Sequence, residues 1–278
     1  MVDHPVTDQD LDKLEYAARE ALTEVAARWR IVAARTAFRT ACGDAAEGIL
    51  RLAETERVEL IVMASHGRGA LGRLRFGSVA GRVARAAEIP VVVVRPDPDA
   101  EHPAELALTR LVVPYDGSEL AAQAFPVAAT LARRLGRPVR VVRAIDPGRT
   151  WRPAVALGTA ISTDAVTETE TALKTAAQQS VDEAAERLRA EGIDAYGNVV
   201  VGPAAGALLD AVGPHDLVVL TSHGRSGLRR WWLGSIAEKL VRFADAPVVM
   251  VPTAGRAGRH APATVDVNLP AIVVATGG

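Results

Sequence analysis

The second half of the chain alternates short apolar runs with amphipathic segments. Apolar runs of five to seven residues predict buried strands at 111–115, 139–145, 195–201, 217–221 and 247–251. Apolar residues at helical spacing predict helices between them, at 118–135, 165–190, 204–212 and 235–244. Strands that alternate with helices form right-handed crossovers, so we predict an α/β unit whose parallel sheet has helices on both faces.

The first half of the chain follows only the later part of this pattern. We predict a helix at 10–30, a strand at 32–40, a helix at 45–54, a strand at 60–64, a helix at 78–87 and a strand at 91–94. No earlier segment matches the first strand, first helix and second strand, so we expect this unit to be incomplete. The predicted organisation is a truncated first unit at 1–96, a linker at 97–108, a complete second unit at 109–253 and a tail at 254–278.

An internal repeat relates the two units. Residues 65–94 read SHGRGALGRLRFGSVAGRVARAAEIPVVVV, and residues 222–251 read SHGRSGLRRWWLGSIAEKLVRFADAPVVMV. The two segments align without a gap, and half of their positions are identical. Two homologous units are the simplest explanation of a match at one constant offset.

Composition and charge narrow the class of protein. Hydrophobic residues make up 49% of the chain and aromatic residues only 4%, so the core is aliphatic, as in sheets buried on both faces. The 32 basic and 33 acidic residues nearly balance, and no polybasic segment occurs. We therefore expect neither a nucleic acid nor a membrane surface as a partner.

Cysteine content and the first residues indicate the compartment. Cys42 is the single cysteine, so an intrachain disulfide cannot form, which is typical of a reducing environment. The first twenty residues are polar and acidic rather than basic and then apolar, and no apolar run approaches the roughly 20 residues of a membrane span. We expect a cytoplasmic protein.

The candidate ligand site lies at the carboxyl ends of the strands, where parallel α/β sheets bind their ligands. Three segments of the second unit meet there: the turn at Asp116, the end of the second strand near Ala144, and the loop at 222–235. Glycines in such a loop let backbone N–H groups approach an anion. Ser235 begins a helix, whose dipole favours negative charge, and Arg225 adds a charge-assisted donor for phosphate.

This loop resembles the motif of the nucleotide-binding members of the universal stress protein family. They carry Gly-x-x-Gly, nine residues, and then Gly-Ser or Gly-Thr. In the second unit the motif runs from Thr221 through Gly224 to Gly234 and Ser235, with nine residues between the two glycines. The first unit has the same spacing, with Ala64, Gly67, Gly77 and Ser78. Both units depart from the family at the first glycine, which is replaced by Thr221 or Ala64.

The resemblance implies a Rossmann-like fold of the adenine nucleotide α-hydrolase type, and ATP as ligand, with or without Mg²⁺. It places the adenine and ribose end of the nucleotide near Pro114, Asp116, Gly117 and Ala144. The phosphate end falls to Thr221, His223, Gly224, Arg225, Ser226, Gly234 and Ser235. The first unit keeps a weaker set without a counterpart of Asp116, namely Ala64, Gly67, Arg68, Gly77 and Ser78. We therefore expect the second unit to hold the nucleotide.

The implied function is a stress-response or regulatory protein rather than an enzyme. We find no catalytic residues and no metal-ligand set, so ATP hydrolysis would at most be slow. His66 and His223 have no ligand partner at metal spacing, and the P-loop pattern of nucleoside triphosphatases is absent.

Other interpretations of the same residues stay open. The loop glycines and serines can serve only as turn and cap residues, and Asp116 only as a turn or capping acid. An enzyme component of the same architecture, such as an ATP pyrophosphatase or a flavoprotein subunit, is a second class. A module for interaction or dimerisation that has lost its ligand is a third, which the missing first glycine favours.

Two apolar segments indicate how the units associate. The last strands of the two units, at 91–94 and 248–251, can pair edge to edge. In the family such strands form the dimer interface, so in this chain they would join the units as an intramolecular pseudo-dimer, with or without a homo-oligomer. The tail sequence AIVVA at 271–275 resembles a first strand, and our hypothesis is that it extends the sheet of the first unit, within one chain or from a neighbouring copy. The alternative is a disordered or loosely packed tail.

Overall fold

The computed structural model describes residues 39–40, 43–64, 77–95, 107–157, 162–221 and 234–253, together with positions 13, 16, 17 and 20. Seven strands in this part of the chain form one sheet in the order β1-β2-β7-β6-β3-β4-β5. The strands are β1 Ile61–Ala64, β2 Val91–Val94, β3 Arg110–Pro114, β4 Val139–Ile145, β5 Ala195–Val201, β6 Asp216–Thr221 and β7 Val248–Val251. The helices are α1 Ala45–Thr55, α2 Ser78–Ala86, α3 Glu119–Ala122, α4 Phe125–Leu135, α5 Pro147–Ala156, α6 Thr163–Ala190, α7 Ala204–Ala211 and α8 Ser235–Phe243.

The second unit forms a doubly wound parallel sheet. After β3 the chain adds β4 and then β5 on one side, and returns to add β6 and β7 on the other. The strand order therefore reverses between β3 and β6, which are hydrogen-bonded neighbours. Such a reversal opens a crevice at the carboxyl ends of the two strands. The predicted α/β fold class is confirmed.

The two units are joined through one antiparallel strand pair. Val91 lies opposite Met250, Val92 opposite Val249, and Val93 opposite Val248, so β2 and β7 connect the sheet of the first unit to that of the second. The predicted edge-to-edge pairing of these two strands is therefore confirmed. The sheet continues from β1 to β5 without a break.

Each face of the sheet has its own apolar cluster. One cluster packs α4 and α6 against alternate residues of the second unit's strands, among them Leu111, Val113 and Val219. The other packs α1, α2, α7 and α8 against Val112, Val218 and their neighbours, and continues onto β1 and β2. Alternation along each strand assigns successive side chains to opposite faces.

The first unit differs from the second in how its faces are covered. Ile61, Met63, Val91 and Val93 are buried under α1 and α2, whereas the alternate residues of β1 and β2 are only half-buried. All residues of β6 and β7 are buried. Among the described residues, the sheet of the first unit is thus fully covered on one face only.

Several predicted elements need correction. The predicted helix at 118–135 is two helices, α3 and α4, because the chain makes a turn at Gln123 and restarts with Pro126 in the first turn of α4. Proline has no N–H to donate, so it suits a helix start and not a helix interior. Helix α5 was not predicted. The other helices and strands with described bounds begin and end within two residues of their predicted limits.

Other predictions fall mainly outside the described residues. Of the predicted helix at 10–30, the four described positions are helical. Of the predicted strand at 32–40, the two described residues, Arg39 and Thr40, are not in a strand. Most of the linker and all of the tail at 254–278 lie outside the described part of the chain. No helix in the described ranges combines the length and apolar character needed to cross a membrane.

A charged network holds the amino ends of the central strands together. The Asp216 carboxylate is 2% exposed and accepts hydrogen bonds from Arg110, from Nε at 2.8 Å and from Nη2 at 3.1 Å. It also accepts from the Gly213 N–H at 2.9 Å. Beside it, Arg140 donates to the Ala211 carbonyl at 3.0 Å and to Asn198 Oδ1 at 2.6 Å. The hydrogen bond to Asp216 raises the pKa of Arg110, whereas burial and the Arg110 charge lower the pKa of Arg140.

We expect the replacement Asp216→Ala to destabilise the protein by about 2–4 kcal/mol, since it leaves Arg110 beside Arg140 without its carboxylate. This loss of stability is smaller than the loss for a fully buried ion pair, because the Arg110 side chain is 34% exposed. Chemical denaturation measures the change in the free energy of unfolding. Glu191→Ala, which removes an exposed carboxylate bound to Arg133 at 3.2 Å, is the matched control and should cost less than about 1 kcal/mol. Equal losses in the two variants would contradict the assigned role of Asp216.

Candidate functional site

The carboxyl ends of β3 and β6 bring two of the predicted site residues, Pro114 and Thr221, to one edge of the sheet. Pro114 ends β3 and Thr221 ends β6. The two strands are parallel and paired, with Val112 opposite Val218, so the chain leaves both strands side by side. Ala144 lies near the end of β4, on the other side of β3.

The turn after β3 is organised by the Asp116 carboxylate. Its Oδ1 accepts hydrogen bonds from the Ser118 N–H at 3.0 Å and from the Ser118 hydroxyl at 2.5 Å. Ser118 Oγ in turn accepts from the Ala121 N–H at 3.1 Å and so caps α3. Of the two roles left open for Asp116 by the sequence, the turn role is therefore present, whereas Ser118 is the helix cap. The turn also fixes the carboxylate at the edge of the crevice.

Gly117 occupies a position that other residues would strain. Its φ is +85°, and a Cβ at this position would lie 3.2 Å from Arg143 Nη1 and 3.6 Å from Ser180 Oγ. The half-buried Arg143 thus brings a guanidinium to the turn at the edge of the crevice. Sequence reasoning missed Arg143, although an arginine inside the apolar strand VRVVRAI was a usable signal.

The start of α8 provides the second part of the site. Gly234 is the N-cap residue with extended backbone (φ −55°, ψ 143°), and no side chain in the described part of the chain caps the helix. The first helical hydrogen bond runs from the Glu238 N–H to the Gly234 carbonyl at 2.9 Å. The N–H groups of Ser235, Ile236 and Ala237 therefore precede the helical hydrogen bonds, an arrangement that favours an anion.

The first unit repeats this helix start. Gly77 is the N-cap residue of α2 at φ −56° and ψ 146°, again without a side-chain cap from any described residue, and Ser78 is the first helical residue. The Gly81 N–H donates to the Gly77 carbonyl at 2.8 Å. Ala64 ends β1 and is half-buried. The described part of this unit contains no counterpart of the Asp116 turn.

Thr221 stands at the first glycine position of the motif, and its residue exposure is only 9%. The other predicted loop residues lie outside the described part of the chain: His223, Gly224, Arg225 and Ser226 in the second unit, and Gly67 and Arg68 in the first.

Helix α5 follows directly on the Ala144 end of β4 and was also missed. Its Trp151 has a buried indole N–H that lacks a hydrogen-bond partner in the described part of the chain. Asp146, just before the helix, lies 3.9 Å from the Arg152 guanidinium. The tryptophan in a polar segment was the sequence signal available for this region. No group of three or more His, Cys, Asp or Glu side chains among the described residues is placed to hold a metal ion.

The doubly wound parallel sheet and the Gly-Ser helix start at its carboxyl edge define an α/β protein of the Rossmann-like class. The family model described as the universal stress protein family matches residues 2–95 and 108–252. The chain belongs to this family, as its motif indicated.

Curated relatives agree with this assignment. A universal stress protein of Mycobacterium tuberculosis (strain H37Rv) is 32% identical over 206 residues, which cover 70% of this chain and 62% of the relative. A second universal stress protein of the same strain is 28% identical over 211 residues, covering 74% of this chain and 68% of the relative. The chain thus spans 62% of the length of the first of these relatives.

Solved structures agree on the fold. A universal stress protein from Archaeoglobus fulgidus DSM 4304 matches with a TM-score of 0.59 at 19% identity, over 91% of this chain and 84% of that protein. A functionally unknown protein from Pseudomonas aeruginosa PAO1 matches with a TM-score of 0.53 at 14% identity, over 86% of this chain and 79% of that protein.

We expect Gly117→Ala to destabilise the protein more than Gly136→Ala does. Both glycines have positive φ, +85° and +60°, so both variants incur backbone strain of about 1–2 kcal/mol. Only at position 117 does the new methyl group meet Arg143, because no heavy atom lies within 4 Å of a Cβ at Gly136. Urea denaturation of the two variants, and of Gly117→Ala combined with Arg143→Ala, measures how much more stability is lost at position 117 than at position 136. A loss at 117 no larger than at 136 would show that the turn is not closely packed.

Proposed function

We propose that this protein is a regulatory member of the universal stress protein family, that it acts in the cytoplasm, and that its second unit binds ATP. The observation that carries the proposal is the pairing of β3 with β6. This pairing brings the Asp116 turn and Thr221, the last residue of β6, together at the reversal of strand order. Such a crevice is where doubly wound sheets bind nucleotides.

The Asp116 turn supplies the adenine and ribose end of the proposed site. A carboxylate held in a fixed turn is a suitable acceptor for ribose hydroxyls or the adenine amino group. Pro114 and Gly117 flank it along the chain, and Ala144 offers apolar surface on the neighbouring strand. Arg143, beside Gly117, adds positive charge at this edge.

The α8 start supplies the phosphate end. The N–H groups at Ser235 and the next two residues suit phosphate oxygens, and the Ser235 hydroxyl is a further donor. Thr221, His223, Gly224, Arg225 and Ser226 complete this end in the proposal. Mg²⁺ would be carried mainly by the nucleotide phosphates, as is usual for this ion.

The first unit would bind nucleotide poorly or not at all. It has the helix start at Gly77 and Ser78, but the described residues include no acid turn beside Ala64. In this proposal the protein responds to a nucleotide without turning it over, or hydrolyses it only slowly.

A second candidate function is an interaction module without a ligand. The buried Thr221 at the first glycine position favours it, because a side chain there narrows the approach of a phosphate to the backbone. Binding measurements separate the two candidates.

The first test is a thermal melt with and without ATP and Mg²⁺, on nucleotide-free protein. A ligand that binds only the folded state adds about 2.7 kcal/mol at a hundredfold excess over its Kd. We expect a rise in Tm for the unmodified chain and little or none for Asp116→Asn, which keeps an oxygen for the Ser118 N–H and removes the charge. Asp210→Asn, an exposed carboxylate on α7, is the control and should keep the response. The absence of a response in the unmodified chain would favour the interaction module.

The second test compares the same substitution at the two helix starts. Glutamate at the first helical position stabilises a helix, so Ser235→Glu and Ser78→Glu should both fold. In calorimetric titration with ATP, Ser235→Glu should weaken binding at least tenfold through charge repulsion, a loss of about 1.4 kcal/mol. Ser78→Glu should leave the affinity unchanged. Equal weakening in both variants would contradict the assignment of the nucleotide to the second unit.

A further inference from the structure

The outer edge of β1 is the feature from which this inference starts. On its inner side β1 pairs with β2, and no described residue pairs with its other side. The internal repeat places β1 where β6 stands in the second unit. There β6 pairs with β7 on one side and with β3 on the other. The outer edge of β1 therefore corresponds to the position that β3 occupies beside β6.

The tail contains a segment that resembles β3 and its surroundings. Residues 108–117 read LTRLVVPYDG, and residues 269–278 read LPAIVVATGG. Five positions of the two segments match. Both have leucine at the first position, a branched aliphatic residue at the fourth, valine at the fifth and sixth, and glycine at the tenth. We propose that residues 271–275 of the tail pair with β1 as a parallel strand, and so complete the sheet of the first unit.

The path of the chain is compatible with this pairing. β7 is antiparallel to β2, and Met250 lies opposite Val91, which is also opposite Ile61. β7 therefore ends at the end of the sheet where β1 begins, which is where a strand parallel to β1 must begin too. The proposed tail strand, next to β1, would lie three strand spacings from β7, roughly 15 Å. The intervening residues, 254–270, span up to about 55 Å when extended.

The half-buried face of the first unit's sheet also favours the tail as the segment that pairs with β1. Val62 and Val92 are half-buried, whereas their counterparts in the second unit, Val219 and Val249, are fully buried. The face of the second unit that holds Val219 also holds Leu111 and Val113 of β3.

The register of β3 with β6 predicts the register of the tail strand with β1. Val112 lies opposite Val218, whose counterpart in the first unit is Ile61, so Val273 would lie opposite Ile61. Val274 would then lie opposite Val62. By the same correspondence Ile272 and Val274 would add apolar side chains to the half-buried face. Pairing would also satisfy the edge N–H and C=O groups of β1.

Disulfide cross-linking of the full chain tests the register. In a Cys42→Ala background, Val62→Cys combined with Val274→Cys should form a disulfide on mild oxidation, because facing residues of neighbouring strands meet the required Cα distance. Val62→Cys combined with Ala271→Cys, roughly 10 Å out of register, should cross-link much less. We expect the product to have monomer mass. Equal cross-linking in both variants, or none, would overturn the proposal, and a covalent dimer would overturn pairing within one chain.

Hydrogen–deuterium exchange supplies a second measurement that does not depend on cysteines. Val273→Pro removes a backbone donor from the proposed strand without shortening the chain. It should speed exchange in 61–64 by at least about tenfold and leave 195–201, at the opposite edge, unchanged. Deletion of 263–278 should act in the same way. Protection of 61–64 that survives both changes would show that another segment or a second copy covers this edge, and would overturn the proposal.

Discussion

The pairing of β3 with β6 is the constraint on which the rest of the structure depends. Residues 106 positions apart are brought together, and the buried Asp216 carboxylate binds the Arg110 guanidinium at the amino ends of the two strands. Because the chain extends the sheet first to one side of β3 and then to the other through right-handed crossovers, its helices cover both faces of the central strands. The same pairing places Pro114 and Thr221, the last residues of the two strands, side by side at the carboxyl ends. A buried charge pair therefore lies at the amino edge of these strands, and the close approach of Gly117 and Arg143 lies near the carboxyl edge.

The antiparallel pair of β2 and β7 extends this arrangement to the first unit. On one face, Val91 and Val93 join Val248 and Met250 in the apolar cluster that α1, α2, α7 and α8 cover. This cluster belongs to both units, so burial of the apolar surface of β1 and β2 depends on the strands of the second unit. On the other face, α4 and α6 cover the second unit, and the half-buried Val92 of β2 packs against the same cluster. The shared burial of the two units is therefore greater on the first face, where buried residues of β1 and β2 belong to the cluster of the second unit.

Much of this fold could be predicted from the sequence, because the repeat and the apolar runs mark buried strands directly. The bounds of β4 and β5 agree with the prediction, as does the pairing of β2 with β7. Helix α5 was missed because its sequence, PGRTWRPAVA, has two prolines and little helical periodicity. The contact of Arg110 with Asp216 was missed because a pattern of apolar residues contains no information on which distant charges meet. The approach of Arg143 to Gly117 has the same cause, since it depends on the register of β3 with β4.

The two units differ at the candidate site because, in the described part of the chain, they contain different sets of strands. A nucleotide in this type of sheet spans the first and fourth strands of a unit, since these flank the crevice. In the second unit these strands are β3 and β6, and both are buried between helices. In the described part of the first unit, β1 corresponds to the fourth strand and has no first strand beside it. Among the described residues, the helix start at Gly77 thus has no acid turn like that of Asp116 near it, so an identical Gly-Ser motif has different surroundings in the two units. The motif alone therefore does not define a binding site, because the neighbouring strand determines whether the second half of the site exists.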